Sequence, residues 1–300
     1  MRQTLALTRR NSKLFFKDRG MLFSSLITPI ILLILYATFL ANVYRDSFAS
    51  AIPSGVFVPE DVLDGTVGAQ LFSSLLAVSC VTVAFCSNML MVQDKVSGAR
   101  ADLTISPVSR SSMAMGYYLA TLLSTLLVSF VATGACLLYI AKVGWYLSAQ
   151  DVLCIVLDVF LLTMFGTALS SIINFFLSTQ GQISAVGTII SAGYGFICGA
   201  YMPISQFGAG LQKVLSFLPG TYGTALLRNH ALRGVLEEMR SIGFPTEVID
   251  AIRDSVDCNL YFFGERVSVG GMYAIMGGSV VLLVAVYVLI NCLSGRKAGK

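Results

Sequence analysis

His230 is the only histidine among 300 residues, so a zinc site built on two imidazoles is impossible within one chain. A Ser-His-Asp relay would need His230 on what reads as an exposed apolar hairpin. The seven cysteines, Cys80, Cys86, Cys136, Cys154, Cys198, Cys258 and Cys292, are scattered, six of them in apolar runs, and none forms a CxxC pair. They read as small apolar residues of an interior rather than as metal ligands or a redox couple. No GxxxxGK[ST] is present, because the only Gly-Lys pair is Gly299-Lys300 at the very end. The chain therefore has no P-loop, and no catalytic residue, metal or cofactor is expected in it. ATP-driven work, if any, falls to a partner.

Asp158 is the remaining candidate. It stands alone as a charge within a long apolar stretch, which by default marks a proton- or cation-coupling carboxylate. It also lies seven residues beyond Asp151, about 10 Å of helix, shallow enough to be wetted from outside. A structural role therefore stands beside the coupling one.

The elements that carry these residues belong in a bilayer. The chain is 56% hydrophobic and 12% charged, with a mean hydropathy of +0.79. That excludes a soluble domain, a disordered or collagen-like polymer and a nucleic-acid reader. Stretches without Asp, Glu, Lys or Arg give six spans at about 21–42, 66–92, 112–140, 152–177, 183–203 and 269–292, the fourth and fifth parted by the polar run Ser178-Thr179-Gln180-Gly181-Gln182. The expected fold class is an all-α integral membrane protein forming a single transmembrane domain over 1–300.

Six crossings put both ends on one side, and basic residues say which. The N-terminal segment, the connection between spans two and three and the C-terminal tail together hold twelve bases (among them Arg10, Lys95, Arg100, Arg296, Lys297 and Lys300) against Asp18, Asp94 and Asp102, a balance of +9. The opposite flanks, with Asp46 among their acids, balance at −4. Both termini are therefore expected in the cytoplasm, with Trp145, Tyr146 and Tyr44 in an outer aromatic belt. The first span follows about 20 basic and mixed residues and is not closed by a small-x-small site, so it reads as an uncleaved helix.

Three pieces lie outside the spans. Leu5, Leu7, Leu14, Phe15 and Phe16 among six bases suit an N-terminal interfacial helix. Between spans two and three, Val96, Ala99 and Leu103 fall at i, i+3 and i+7, which predicts a short amphipathic cytoplasmic helix stopped before Pro107. The outer insertion, about 204–268, divides into an apolar part, Ile204 to Leu232, expected to hug the outer leaflet as a re-entrant hairpin around Pro219-Gly220, and an acidic cap, Gly234 to Arg266. Val248, Ile249 and Ile252 mark one face of a short helix in that cap. Gly195 and Gly199 form a GxxxG, which permits close helix packing or a dimer seam.

The layout resembles the permease subunits of the ABC-2 family of ATP-binding-cassette transporters. Three stretches carry the likeness: Lys17-Asp18-Arg19 before a span containing Pro29; Gly98 to Arg110 with Ser106-Pro107-Val108-Ser109-Arg110; and Gly199-Ala200-Tyr201-Met202-Pro203 followed by Leu218-Pro219-Gly220-Thr221-Tyr222 and Arg228. The insertion at Gly234 to Arg266 is longer than in many members. The resemblance implies two permeases, identical or related, assembled with two ATPase subunits that carry the ATP and Mg, in the cytoplasmic membrane. Val96, Ala99 and Leu103 would be gripped by the ATPase while Arg100 and Asp102 fix register. Pro203, Leu218, Pro219 and Tyr222 would form an outer gate, and cargo would follow a dimer seam along spans two and five. Few charges in the spans favour export of an amphipathic drug, lipid or glycolipid. The competing expectations are a proton-coupled transporter using Asp158 and a non-transporting membrane scaffold.

Overall fold

A computed structural model describes residues 2–42, 44, 45, 48 and 58–297. Asp46 and Lys300, counted in the charge balance above, lie outside the described residues, as do the side chains of Arg296 and Lys297.

Helix α1 (Arg2–Lys17) meets α2 (Arg19–Leu35) at a 75° bend. Asp18 makes the bend, since its Oδ1 accepts the Met21 N–H at 3.1 Å and so caps α2 as a separate helix. Leu7 and Phe15 turn inward from α1 while Leu5 and Phe16 stay exposed, as an interfacial helix requires. Gly116 lets α1 lie tightly along α6, because a Cβ there would stand 2.7 Å from Leu7. Helix α2 runs on through a π-helical turn, Tyr36–Leu40.

The second span is α3 (Glu60–Ser87), whose first turn offers Glu60 and Asp61 to the helix dipole. It breaks at Asn88 and resumes as α4 (Met89–Val96). After α5 (Ala99–Ile105) come the long helices α6 (Arg110–Val143), capped by Ser109, and α7 (Ala149–Phe176), capped by a Ser148/Asp151 box. Helix α8 (Gln180–Ile197) starts on a second box, Thr179/Gln182. The last span is α12 (Val269–Lys297).

Among the described residues, four helical segments are long and apolar enough to cross a membrane: Glu60–Val96, Arg110–Val143, Ala149–Phe176 and Val269–Ser294. The bent pair α1–α2 raises the number to five if it is counted as one broken span. Helix α8 has 18 residues with two glutamines in its first turn and falls short of that mark. Span two is the shaft of the molecule: 83% of its most apolar stretch is buried, enclosed by α2, α6, α7, α8 and α10. It cannot line a seam along its length; the free apolar faces beside it are those of α2 (Ile27, Ile31, Ile34) and α8 (Ile189, Phe196).

The outer insertion differs from its expected form. A short helix, α9 (Ala209–Leu215), leads into α10 (Pro219–Ser241), 23 residues that wedge between α3, α7 and α12. Glycines permit the fit: a Cβ at Gly223 would meet Leu162 at 2.6 Å, and one at Gly234 would strike the Tyr146 backbone. The expected division between Leu232 and Gly234 falls inside this helix. In the cap, α11 (Thr246–Ser255) buries Ile249 with Val248 and Ile252 partly covered, as their spacing requires. A short hairpin of two-residue strands, β1 (Tyr261–Phe262) with β2 (Glu265–Arg266), is the one sheet among the described residues.

Candidate functional site

Two polar hubs join the helices, one near each end of span two. At the end that the expected topology places inside, Arg10 Nη1 donates to Asp94 Oδ2 at 2.7 Å and the Tyr117 hydroxyl donates to the same oxygen at 2.6 Å. Neighbouring Lys95 donates to the carbonyls of Asn174 at 3.1 Å and Leu177 at 2.6 Å, closing the C-terminus of α7. Nearly two turns away, at the break in span two, Asn88 Nδ2 donates to Ser170 Oγ at 3.1 Å and Ser171 Oγ at 3.0 Å while Thr121 donates to its Oδ1 at 3.3 Å. The stub α4 is thereby tied to α1, α6 and α7 at once. None of these five anchors was singled out by sequence; Asp94 and Lys95 counted only as flanking charges. The available signal was two opposite charges directly after an apolar run.

The amphipathic helix carries a correction. Gly98, with φ of 83°, ends α4 and begins α5, so Val96 and the pair Ala99/Leu103 do not share one helical face. Leu103 leans on an inner cluster with Met113 and Tyr117. Arg100 also turns inward, its guanidinium 5.6 Å from the Phe175 ring centroid. Ala99 is half-buried. What α5 offers to solvent is Ala101, Asp102, Thr104 and Ile105, the last 85% exposed, with Val96 beside them at 54%.

At the opposite end, expected outside, Arg228 is fully buried. Its Nη2 donates to the Gly199 carbonyl at 2.5 Å and Ser74 Oγ at 3.3 Å, and Nη1 to Asp257 Oδ2 at 3.3 Å. Asp257 in turn accepts the backbone N–H of Ile204 and that of Ser205, the latter at 3.2 Å. One ion pair thus clasps span two, the exit of α8, α10 and the cap. Burial pushes the Asp257 carboxyl up from its ordinary range, while Arg228 and the two N–H donors pull it back.

The residues expected at an outer gate gather beside this clasp. Pro203 opens the 3-10 turn Ile204–Gln206, and Pro219 starts α10 with Leu218 half-exposed before it. The Tyr222 hydroxyl donates to the Ser216 carbonyl at 2.6 Å. Ile204 and Tyr222 line one cavity of about 210 Å³ under the cap. Gly195 and Gly199 are both spent within the chain: a Cβ at Gly195 would strike the Tyr201 ring, and Gly199, at φ 77°, abuts Ile204 and Asp257. Their spacing serves the chain's own turn rather than a groove along the helix.

Asp158 has no free oxygen. Oδ2 lies 2.6 Å from His230 Nδ1, and the Tyr273 hydroxyl donates to Oδ1 at 2.6 Å, joining α7, α10 and α12. His230 is therefore a half-buried partner of Asp158, placed on a helix packed among the spans. Nearby, Asp151 pairs with Arg233 at 2.6 Å and holds that guanidinium firmly charged. Among the described residues, no three His, Cys, Asp or Glu groups gather in a metal-binding cluster.

No curated protein sequence matches the chain. The family model for the ABC-2 type transporter matches residues 2–231, from α1 through the Asp94 hub and into α10 as far as Arg228, leaving Asp257, the cap and the last span beyond it. The chain belongs to the ABC-2 type transporter family and is an integral, multi-pass membrane permease.

Proposed function

We propose that this permease is half of an exporter. Two copies, or one copy and a related permease, assemble with two ATPase subunits that bind ATP and Mg. Together they move an amphipathic drug, lipid or glycolipid-like molecule out across the cytoplasmic membrane. All 300 residues form one transmembrane domain of six spans, with α8 as the fifth and both termini in the cytoplasm, where the basic flanks fall. The single observation that carries this reading is the exposure of Asp102 and Ile105 on α5 and of Val96 at the end of α4, the segment whose Asp94 and Lys95 are bonded to three other helices. A motor that pulls α5 moves α1, α6 and α7 with it. In this reading Asp102 sets the docking register, while Leu103 and Arg100 stiffen the lever from inside.

Cargo passes along a seam lined by α2 and α8, and the turn at Pro203 with the Leu218-Pro219-Tyr222 corner forms the outer gate. A proton-coupled mechanism would need Asp158 to meet water or substrate, and both its oxygens are taken by His230 and Tyr273. The test is purification of the tagged chain in mild detergent, followed by reconstitution. An ATP-binding-cassette subunit is expected to co-purify, and transport is expected to require ATP. Uphill transport by the permease alone, without nucleotide, would refute the proposal.

A further inference from the structure

We infer that a second cavity, of about 270 Å³, between α7, α10 and the cap helix α11 is a binding site for a phosphate-class anion, best matched by a monoanionic phosphodiester headgroup. Arg233, Arg240, Arg253, His230 and Asn229 face it, against a single lining carboxylate, Glu237. Two of the basic groups are already spent: Arg233 on Asp151 and His230 on Asp158. Arg240 and Arg253 have no carboxylate within 4.0 Å among the described residues. Arg253 donates Nη2 only to the neutral Asn229 Oδ1 at 3.0 Å, and its Nε is buried with no acceptor.

A buried guanidinium N–H without an acceptor is a standing demand for an oxyanion, and the guanidinium fork matches two phosphate oxygens. Two free guanidiniums against one carboxylate leave one net positive charge, which suits a monoanion better than a dianion. Leu236, Ile249 and Val269 supply apolar wall for the ester's carbon portion. The site is argued from its lining alone; only its placement at the outer leaflet rests on the topology proposed above. Its occupant is either a membrane phospholipid or an exported molecule carrying the same group.

Cys154 lines this cavity and is half-buried, whereas Cys292 is exposed elsewhere. The full chain, delipidated in maltoside micelles, is alkylated and each thiol followed by peptide mass spectrometry. Short-chain phosphatidylglycerol, inorganic phosphate or a neutral diacylglycerol is added in parallel. Phosphatidylglycerol is expected to slow Cys154 alkylation severalfold and leave Cys292 unchanged, and Arg240→Gln and Arg253→Gln are each expected to weaken that protection about tenfold. Glu237→Gln keeps every arginine and is expected to bind about threefold tighter. Protection by phosphatidylglycerol alone supports a lipid source, and protection by inorganic phosphate as well supports the same oxyanion site with a soluble source. Equal protection by the neutral lipid, no protection at all, or weaker binding in Glu237→Gln would overturn the inference.

Discussion

Asp257→Asn tests the outer clasp. The substitution leaves Arg228, wholly buried, with no carboxylate, and removing one partner of a buried pair costs about 3–5 kcal/mol. Asparagine still accepts from the Ser205 N–H but loses the charge assistance of two backbone donors, about 1 kcal/mol more. Arg228→Leu is milder, because Asp257 keeps both N–H bonds; about 2–3 kcal/mol is expected. The double variant removes charge from both sides and is expected to recover part of the loss, giving a coupling energy of about 2 kcal/mol. At about 2–4 °C per kcal/mol, the value for domains of about 150–250 residues, the combined loss of about 4–6 kcal/mol lowers the apparent Tm of Asp257→Asn by about 8–24 °C. The assay is thermal unfolding in detergent at one fixed scan rate, since unfolding of such a protein is governed by rate as well as equilibrium. Strictly additive losses in the double variant, or an unchanged Tm in Asp257→Asn, would refute the clasp.

Asp94→Asn strips the anchor shared by Arg10 and Tyr117; the variant is expected to lose about 1–2 kcal/mol and most ATP-driven transport while still binding the ATPase, measured by pull-down and vesicle transport. Ile105→Glu, on the exposed strip, is expected to do the reverse, abolishing ATPase co-purification with no change in Tm. Leu103→Ala, packed inward, is expected to lower Tm by the equivalent of about 1–2 kcal/mol and leave the pull-down intact; if Leu103 proves to be the docking contact, the inward register of α5 is wrong. Gly195→Ala forces a methyl into the Tyr201 ring and is expected to cost about 1–3 kcal/mol, whereas Gly193→Ala, facing open space, is expected to leave thermal unfolding unchanged.

The apolar helices Arg110–Val143, Ala149–Phe176 and Val269–Lys297 were legible because each centres on a long apolar run, interrupted by a charge only at Asp158 in the second. The helix in the cap was legible from Val248, Ile249 and Ile252. Helix α10 was not, because Arg228, Asn229, His230 and its glycines read locally as an interfacial segment. What buries them is pairing at a distance: Arg228 with Asp257, 29 residues away, and His230 with Asp158, 72 residues away. No periodicity encodes such partners. The lever face failed for a smaller reason, one left-handed glycine, which resets helical phase between Val96 and Ala99. The GxxxG failed because its spacing allows close approach without saying by what.

Both hubs terminate on span two, and this bears on how a cytoplasmic motor could work an outer gate. Ser74 touches Arg228 at the outer clasp and Asp94 holds the inner anchor; twenty residues of helix, about 30 Å, separate them. A buried helix enclosed on all sides transmits a tilt but not a slide, since sliding would break every ridge it packs against. The interruption at Asn88 decides between a rigid tilt and a local flex. Its amide is bonded to Ser170, Ser171 and Thr121, so the break is tied to α6 and α7 rather than free. Bending there would cost those bonds in an apolar surround, about 1 kcal/mol each. Asn88→Leu removes the ties, leaving Ser170 only its bond to the Thr167 carbonyl at 3.0 Å, so α4 would flex independently of α3. If span two acts as a rigid shaft, that variant hydrolyses ATP in complex but uncouples it from transport; if it retains full coupling, the signal reaches the gate by another helix.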